Sequence, residues 1–337
     1  MISLSKIRHE HRRGVTLLPP KLQLRMLGTF DARLDGEPLV RFRSAKVRAL
    51  LAYLGVEAGQ VHLRDSLATL LWGEYPQREA QQSLSQALTN LRSILAPLMF
   101  PGASSEPILS ITSQAVHFNP DRLWVDIHAF DSFLAASNPH HKIGLMTFDE
   151  TSPLEEAVGL YHGPFLAGFS LPDSREFEEW VMLNREQHHQ GMMLALERLV
   201  HHYLAEGRTD LVRKYGRQQL ALEPWSESGH QALMLSLALE GQRGAALQQY
   251  EACRRVLAEE FGIEPSTETQ ALAQQIRDGI TRHAGIRNVL PLPNFVARER
   301  EIAQLNRALS LALAGQGRVV AVTGEAGTGI LHRQPPA

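Results

Sequence analysis

The spacing of apolar residues changes twice along this chain, and that constrains its fold more than any other feature. Leu22, Leu24 and Met26 alternate with Gln23 and Arg25, and Phe30, Ala32 and Leu34 repeat the spacing of two. This is the pattern of half-buried strands. Asp35-Gly36 predicts a turn, and Leu39 to Phe42 a returning strand. The spacing then becomes helical. Val47, Leu50, Leu51 and Leu54 fall on one helix face. Leu63, Leu67, Leu70 and Leu71 mark a second helix, closed by Trp72-Gly73. Leu84, Ala87, Leu88, Leu91 and Leu95 mark a third over 78–95, stopped by Pro97. Leu109 and Ile111, then Val116 and Phe118 across Ser113-Gln114, return to the spacing of two and predict a hairpin. A small sheet, three helices and a hairpin form the order a winged helix-turn-helix needs.

From Val125 onward the pattern is helical. Phe130 and Phe133 begin one helix, Leu154 to Tyr161 form another, and 175–206 carry long amphipathic helices around Phe177, Trp180 and Val181. Leu204-Ala-Glu-Gly207 resembles Ala238-Leu-Glu-Gly241 at a separation of 34 residues. That is the tetratricopeptide period, in which helix pairs stack and leave a groove suited to peptides or protein surfaces. The expected fold is therefore mainly α with a small β component: a winged helix-turn-helix domain followed by an all-α tetratricopeptide-like domain. The expected divisions are a flexible basic arm (1–20), the winged helix (21–120), the helical domain (121–282) and a terminal segment (283–337).

Net charge is −2, but residues 1–97 carry 14 Lys+Arg against 8 Asp+Glu, leaving an acidic remainder. A basic head on an acidic body suits a head that meets a polyanion. The third helix sharpens this. Its outward positions are Gln81, Gln82, Ser85, Gln86, Thr89, Asn90 and Ser93, with Arg78 and Arg92 at its ends. Amides pair with base edges, and hydroxyls and arginines with phosphates or guanine. Gln82, Ser85, Gln86, Thr89 and Asn90 are the candidates for base edges of double-stranded DNA. Arg41, Arg43, Lys46, Arg48, Arg64, Arg78 and Arg92 are the candidates for phosphates, with the wing from Ser110 to His117 on the adjacent minor groove. Lys46 and Arg48 have a second reading as merely solvated cations.

Several motifs then carry a resemblance. Leu24-Arg-Met-Leu-Gly-Thr-Phe30, Lys46-Val-Arg-Ala-Leu-Leu-Ala-Tyr-Leu54, Leu70-Leu-Trp72 and the run from Ser83 to Arg92 resemble the OmpR-like winged helix of SARP-type (antibiotic regulatory protein) activators. Val125-Asp126, Tyr161-His-Gly-Pro-Phe-Leu166 and Leu257-Ala-Glu-Glu-Phe-Gly-Ile-Glu-Pro265 resemble the bacterial transcriptional activation domain that follows it. The resemblance covers roughly 22–280. It implies a transcriptional activator that contacts RNA polymerase and binds direct repeats as a head-to-tail homodimer. The family commonly has arginines near 81, 85 and 90, where Gln81, Ser85 and Asn90 stand. Fewer cations release fewer counterions, so a shallower salt dependence is expected. The competing readings are a tetratricopeptide-like protein-interaction scaffold with weak or lost DNA binding, or a non-functional truncated fragment of a larger ATP-dependent regulator.

Residues 293–329 resemble the start of the ATPase module of larger members, and the strand at Val319 runs into Gly324, Gly327 and Gly329. A phosphate loop requires Lys and then Ser/Thr after the last glycine. Ile330 and Leu331 stand there, so this P-loop is degenerate, the module is read as truncated, and no ATP binding is expected. Other chemistry is excluded as well. One cysteine, Cys253, cannot build a disulfide framework and reads as a buried apolar residue. The paired histidines His188-His189 and His201-His202 lack metal-ligand spacing. Trp180 and Trp225 read as core. No signal peptide or membrane span is found, and no enzyme, cofactor or metal is expected. A soluble cytoplasmic protein follows.

Overall fold

In a computed structural model, residues 22–99, 107–137 and 151–279 are described. The basic arm and 283–337, with Gly324, Gly327 and Gly329, lie outside the described residues.

The chain opens with β1 (Leu22–Arg25), β2 (Asp31–Leu34) and β3 (Glu37–Pro38). β1 and β2 pair antiparallel, with Leu24 opposite Ala32 and both buried. The returning strand is shorter than the sequence suggests. It ends at Pro38, which has no N–H to continue a ladder. Leu39 still donates to the Ala32 carbonyl at 2.8 Å, but Arg41 to Arg43 leave the sheet.

Helix α1 (Ala45–Val56) is capped by Ser44, whose hydroxyl accepts from the Val47 N–H. Next come β4 (Val61–Leu63), α2 (Arg64–Trp72), α3 (Gln77–Ile94) and the short α4 (Ala96–Met99). Leu63 therefore ends a strand instead of opening a helix. The predicted hairpin forms as β5 (Leu109–Ile111) and β6 (Ala115–Phe118), and β4 joins it in a three-stranded sheet ordered β4-β6-β5. Leu50, Leu51, Leu54, Leu71, Leu84 and Leu91 are all buried where α1, α2 and α3 meet.

β7 (Leu123–Val125) runs parallel to β1 and completes a sheet ordered β3-β2-β1-β7. It leads directly into α5 (Asp126–Ala136), which is followed by α6 (Thr151–Leu160). The segment after α6 then returns to β1. His162 donates to the Leu27 carbonyl, Leu166 to the Met26 carbonyl and Ala167 to the Gly28 carbonyl, each at 2.8–3.0 Å. Winged helix and helical domain thus share one seam.

Residues 175–205 form a single helix, α7 (Arg175–Ala205), followed by α8 (Thr209–Leu222), α9 (Glu227–Leu239), α10 (Arg243–Phe261) and α11 (Thr267–Asp278). The 34-residue period is visible atom by atom. Arg208 N–H donates to the Tyr203 carbonyl at 2.8 Å, and Gln242 N–H to the Leu237 carbonyl at 2.9 Å. Gly207 and Gly241 sit between the helices at φ +72° and +79°, where an L side chain is strained. Cys253 is buried, and burial pushes its thiol up to about 12, so it is inert. Trp180 packs between Tyr53, Phe165 and Phe177. Trp225, read as core from sequence, is instead 40% exposed and meets Phe261 edge to face.

Candidate nucleic-acid interface

Helix α3 divides cleanly. Ala80, Leu84, Ala87, Leu88, Leu91 and Ile94 are buried. Arg78, Gln81, Gln82, Ser85, Gln86, Thr89, Arg92 and Ser93 are exposed with the helical domain in place. At 3.6 residues per turn, Arg78, Gln82, Ser85 and Thr89 run along the middle of the exposed stripe. Gln81 and Arg92 flank one side, and Gln86 and Ser93 the other. Two of the hydroxyls are partly committed. Ser85 Oγ donates to the Gln81 carbonyl and Thr89 Oγ1 to the Ser85 carbonyl, both at 2.8 Å. Such back-bonding leaves their lone pairs as acceptors. Side chains from α2 reach this face. Arg64 Nη2 donates to Ser85 Oγ at 2.7 Å, and Gln81 Nε2 donates to Asp65 Oδ1 at 2.8 Å.

Two predicted contacts are corrected. Asn90 is only 7% exposed and points inward. Its Oδ1 accepts from the Arg43 N–H at 3.0 Å, and its Nδ2 donates to the Arg41 carbonyl at 3.4 Å. Its amide is used up on backbone, so it reads no base. Instead it draws the segment that left β3 against α3, with the Arg41 and Arg43 side chains exposed beside the stripe. Lys46 is the second. Its ammonium lies 2.8 Å from Asp173 with 12% side-chain exposure, and over the rings of Trp72 and Tyr75. The hydrogen bond from Lys46 holds the Asp173 carboxyl below its ordinary value. This lysine ties α1 to the helical domain and is unavailable to phosphate.

Arg41, Arg43, Arg48, Arg78 and Arg92 are exposed, while Arg64 is half-buried. Arg48 lies over the Phe169 ring at 5.5 Å, so part of its guanidinium is already stacked. The wing turn is held by Thr112, whose Oγ1 accepts from the Gln114 and Ala115 N–H groups. It carries no cation between Ser110 and His117.

Residues 125–277 match the bacterial transcriptional activator domain family. The transcriptional regulatory protein MoaR1 of Mycobacterium bovis is 29% identical over 276 residues, covering 79% of this chain and 83% of that protein. The regulatory protein AfsR of Streptomyces coelicolor is 26% identical over 329 residues, covering 91% of this chain but 31% of its own length. The chain carries a bacterial transcriptional activator domain and is similar to SARP-type transcriptional regulators. Its relatives are regulators of transcription, a non-enzymatic class. The solved structure of Mycobacterium tuberculosis EmbR in complex with a phosphopeptide shares the fold, with TM-score 0.59 and 22% identity over 88% of this chain and 71% of that one. No helix among the described residues is long and apolar enough to cross a membrane.

The residues that sequence reasoning missed lie in the seam. Asp126 is 2% exposed, and its carboxylate accepts from the N–H groups of Met26 at 2.6 Å, Leu27 at 2.8 Å and Ile127 at 2.9 Å. Burial nevertheless pushes its pKa above the ordinary value, against the pull of those bonds. Arg185 binds three carbonyls, of Phe165, Leu166 and Phe169. Ser174 donates to the Leu71 carbonyl at 2.7 Å, joining α7 to α2. The motifs holding Asp126 and Phe165 were visible in the sequence; their partners, about a hundred residues from Asp126 and twenty from Phe165, were not.

Proposed function

We propose that this regulator is a sequence-specific, double-stranded DNA-binding activator acting in the cytoplasm, with α3 entering the major groove. Gln82, Gln86 and Thr89 face base edges, together with the Ser85–Arg64 pair. Arg41, Arg43, Arg78 and Arg92 face phosphates, Arg48 adds a weaker contact, and the uncharged wing rests beside the minor groove. The observation that carries this reading is the uncovered stripe of α3. The helical domain is fastened to the winged helix through β1, α1 and α2, yet Gln82, Ser85, Gln86 and Thr89 stay exposed. The helical domain presents the surface for RNA polymerase and for a second copy on direct repeats.

The sparse cations favour a second reading, a protein-interaction scaffold without DNA binding: Lys46 is consumed internally and the wing turn is neutral. A mobility shift with competitor duplex at rising salt separates the two. The activator reading expects a sequence-preferring shift that weakens with salt; the scaffold reading expects none.

A further inference from the structure

We infer that Arg64 is the base-reading guanidinium of this interface, specific for a G·C pair, and that Ser85 is its positioning residue. The inference rests on the DNA reading above and deepens it. Arg64 is the first residue of α2 and stands at the positive end of the helix dipole, where a cation gains no stability. Its placement therefore calls for another reason. Two elements, the wing turn and α3, converge on it. Its backbone N–H donates to the Gln114 carbonyl in the wing turn at 2.9 Å, so the wing pins its main chain. Its Nη2 donates to Ser85 Oγ at 2.7 Å. The Ser85 hydroxyl is itself oriented, because its proton goes to the Gln81 carbonyl at 2.8 Å. The adjacent carboxylate, Asp65, is engaged by Gln81.

Ser85 lies on the midline of the exposed stripe, between Gln82 and Thr89. Its hydroxyl thus carries a guanidinium that starts on α2 onto the line of α3 that faces the floor of a groove. Phosphate-directed cations belong on the flanks or at the end of the helix: Arg41, Arg43 and Arg92 lie beside the stripe, and Arg78 stands in the first turn of α3, away from its centre. A planar guanidinium held over base edges matches guanine O6 and N7 in the bidentate mode. Ser85, with its proton spent and its lone pair on Arg64, acts through that side chain rather than on a base.

The test uses the full chain and a randomised duplex library, with bound sequences and salt slopes measured for wild type, Arg64→Ala, Arg64→Lys, Ser85→Ala and Arg92→Ala. Wild type selects a G·C pair that Arg64→Ala discriminates about 5- to 150-fold less well. Arg64→Lys keeps the charge and the salt slope but loses the same discrimination, which also guards against a simple folding defect. Ser85→Ala weakens the preference at that same position. Arg92→Ala leaves every preference intact and lowers the slope by about one. The assignment is overturned if Arg64→Ala weakens all duplexes alike and Arg64→Lys restores them, or if Ser85→Ala alters a different position or none. If wild type shows no salt-sensitive shift and selects nothing, the DNA reading itself fails and takes this assignment with it.

Discussion

The exposed stripe of α3 and the seam between the two domains are built on opposite principles. In the seam, buried or half-buried polar groups are paired across elements: Asp126 with Met26 and Leu27, Lys46 with the partly exposed Asp173, Arg185 with the Phe165 carbonyl. On the stripe, amides and hydroxyls stand in solvent with bonds only to neighbours on α2 and α3. A buried polar group left without its partner costs the full desolvation penalty, whereas an exposed one turns to water. The seam therefore fixes where α3 points, and the stripe is free to vary with the sequence it reads.

The sharpest way to break this comparison is Asp126→Ala. It strips the acceptor from three buried or part-buried N–H groups at once, and a loss of about 3 kcal/mol in urea unfolding is expected. A loss below about 0.5 kcal/mol contradicts the seam account. Asn90→Ala comes next, because Asn90 belongs to the buried class despite its place among the α3 amides. A loss of about 2 kcal/mol is expected, with faster hydrogen exchange at the Arg43 amide. Gln86→Ala is the opposite case. Unfolding stability changes by less than about 0.5 kcal/mol, while discrimination at one base pair falls by about 1 kcal/mol in binding to selected duplexes.

The smallest effect is a pH dependence within the seam. Burial pushes the His188 imidazole down, but Asp131, the Asn184 carbonyl and Asp126 outweigh it and the net direction is up. A base whose folded pKa is raised adds stability below its unfolded value, near 6.5, and loses that contribution as pH rises through the folded value. His201 and His230, which burial pushes down, act in the reverse direction, so the informative quantity is the difference between wild type and His188→Asn. That difference is expected to be larger at mild acid than at mild alkaline pH, by less than about 1 kcal/mol. A difference that grows with pH contradicts the assignment.

How far these features were legible follows from how local their causes are. Helices α1 to α3 and the wing hairpin are written in apolar spacing within a few turns of chain. β4 was hidden because Leu63 also fits the helical spacing of Leu67, Leu70 and Leu71, although Val61 and Leu63 are both exposed. The pairing of Leu24 with Val125 brings together residues a hundred apart, and no local pattern records it. The Lys46–Asp173 pair was invisible for the same reason. Asn90 is different, since its signal was present. It lies three residues after Ala87 and four before Ile94, on the apolar side of α3, and only the run of neighbouring amides made it resemble a reader.

The central claim is that the exposed stripe of α3 is the surface that meets DNA, and proximity tests it most directly. Gln86→Cys and Met182→Cys each place a thiol on an exposed position, one on α3 and one on α7, while the native Cys253 is buried. Each variant, labelled with a photo-crosslinker and mixed with selected duplex, reports which surface touches nucleic acid. The account predicts crosslinking from position 86 and none from position 182; crosslinking from 182 with none from 86 contradicts it.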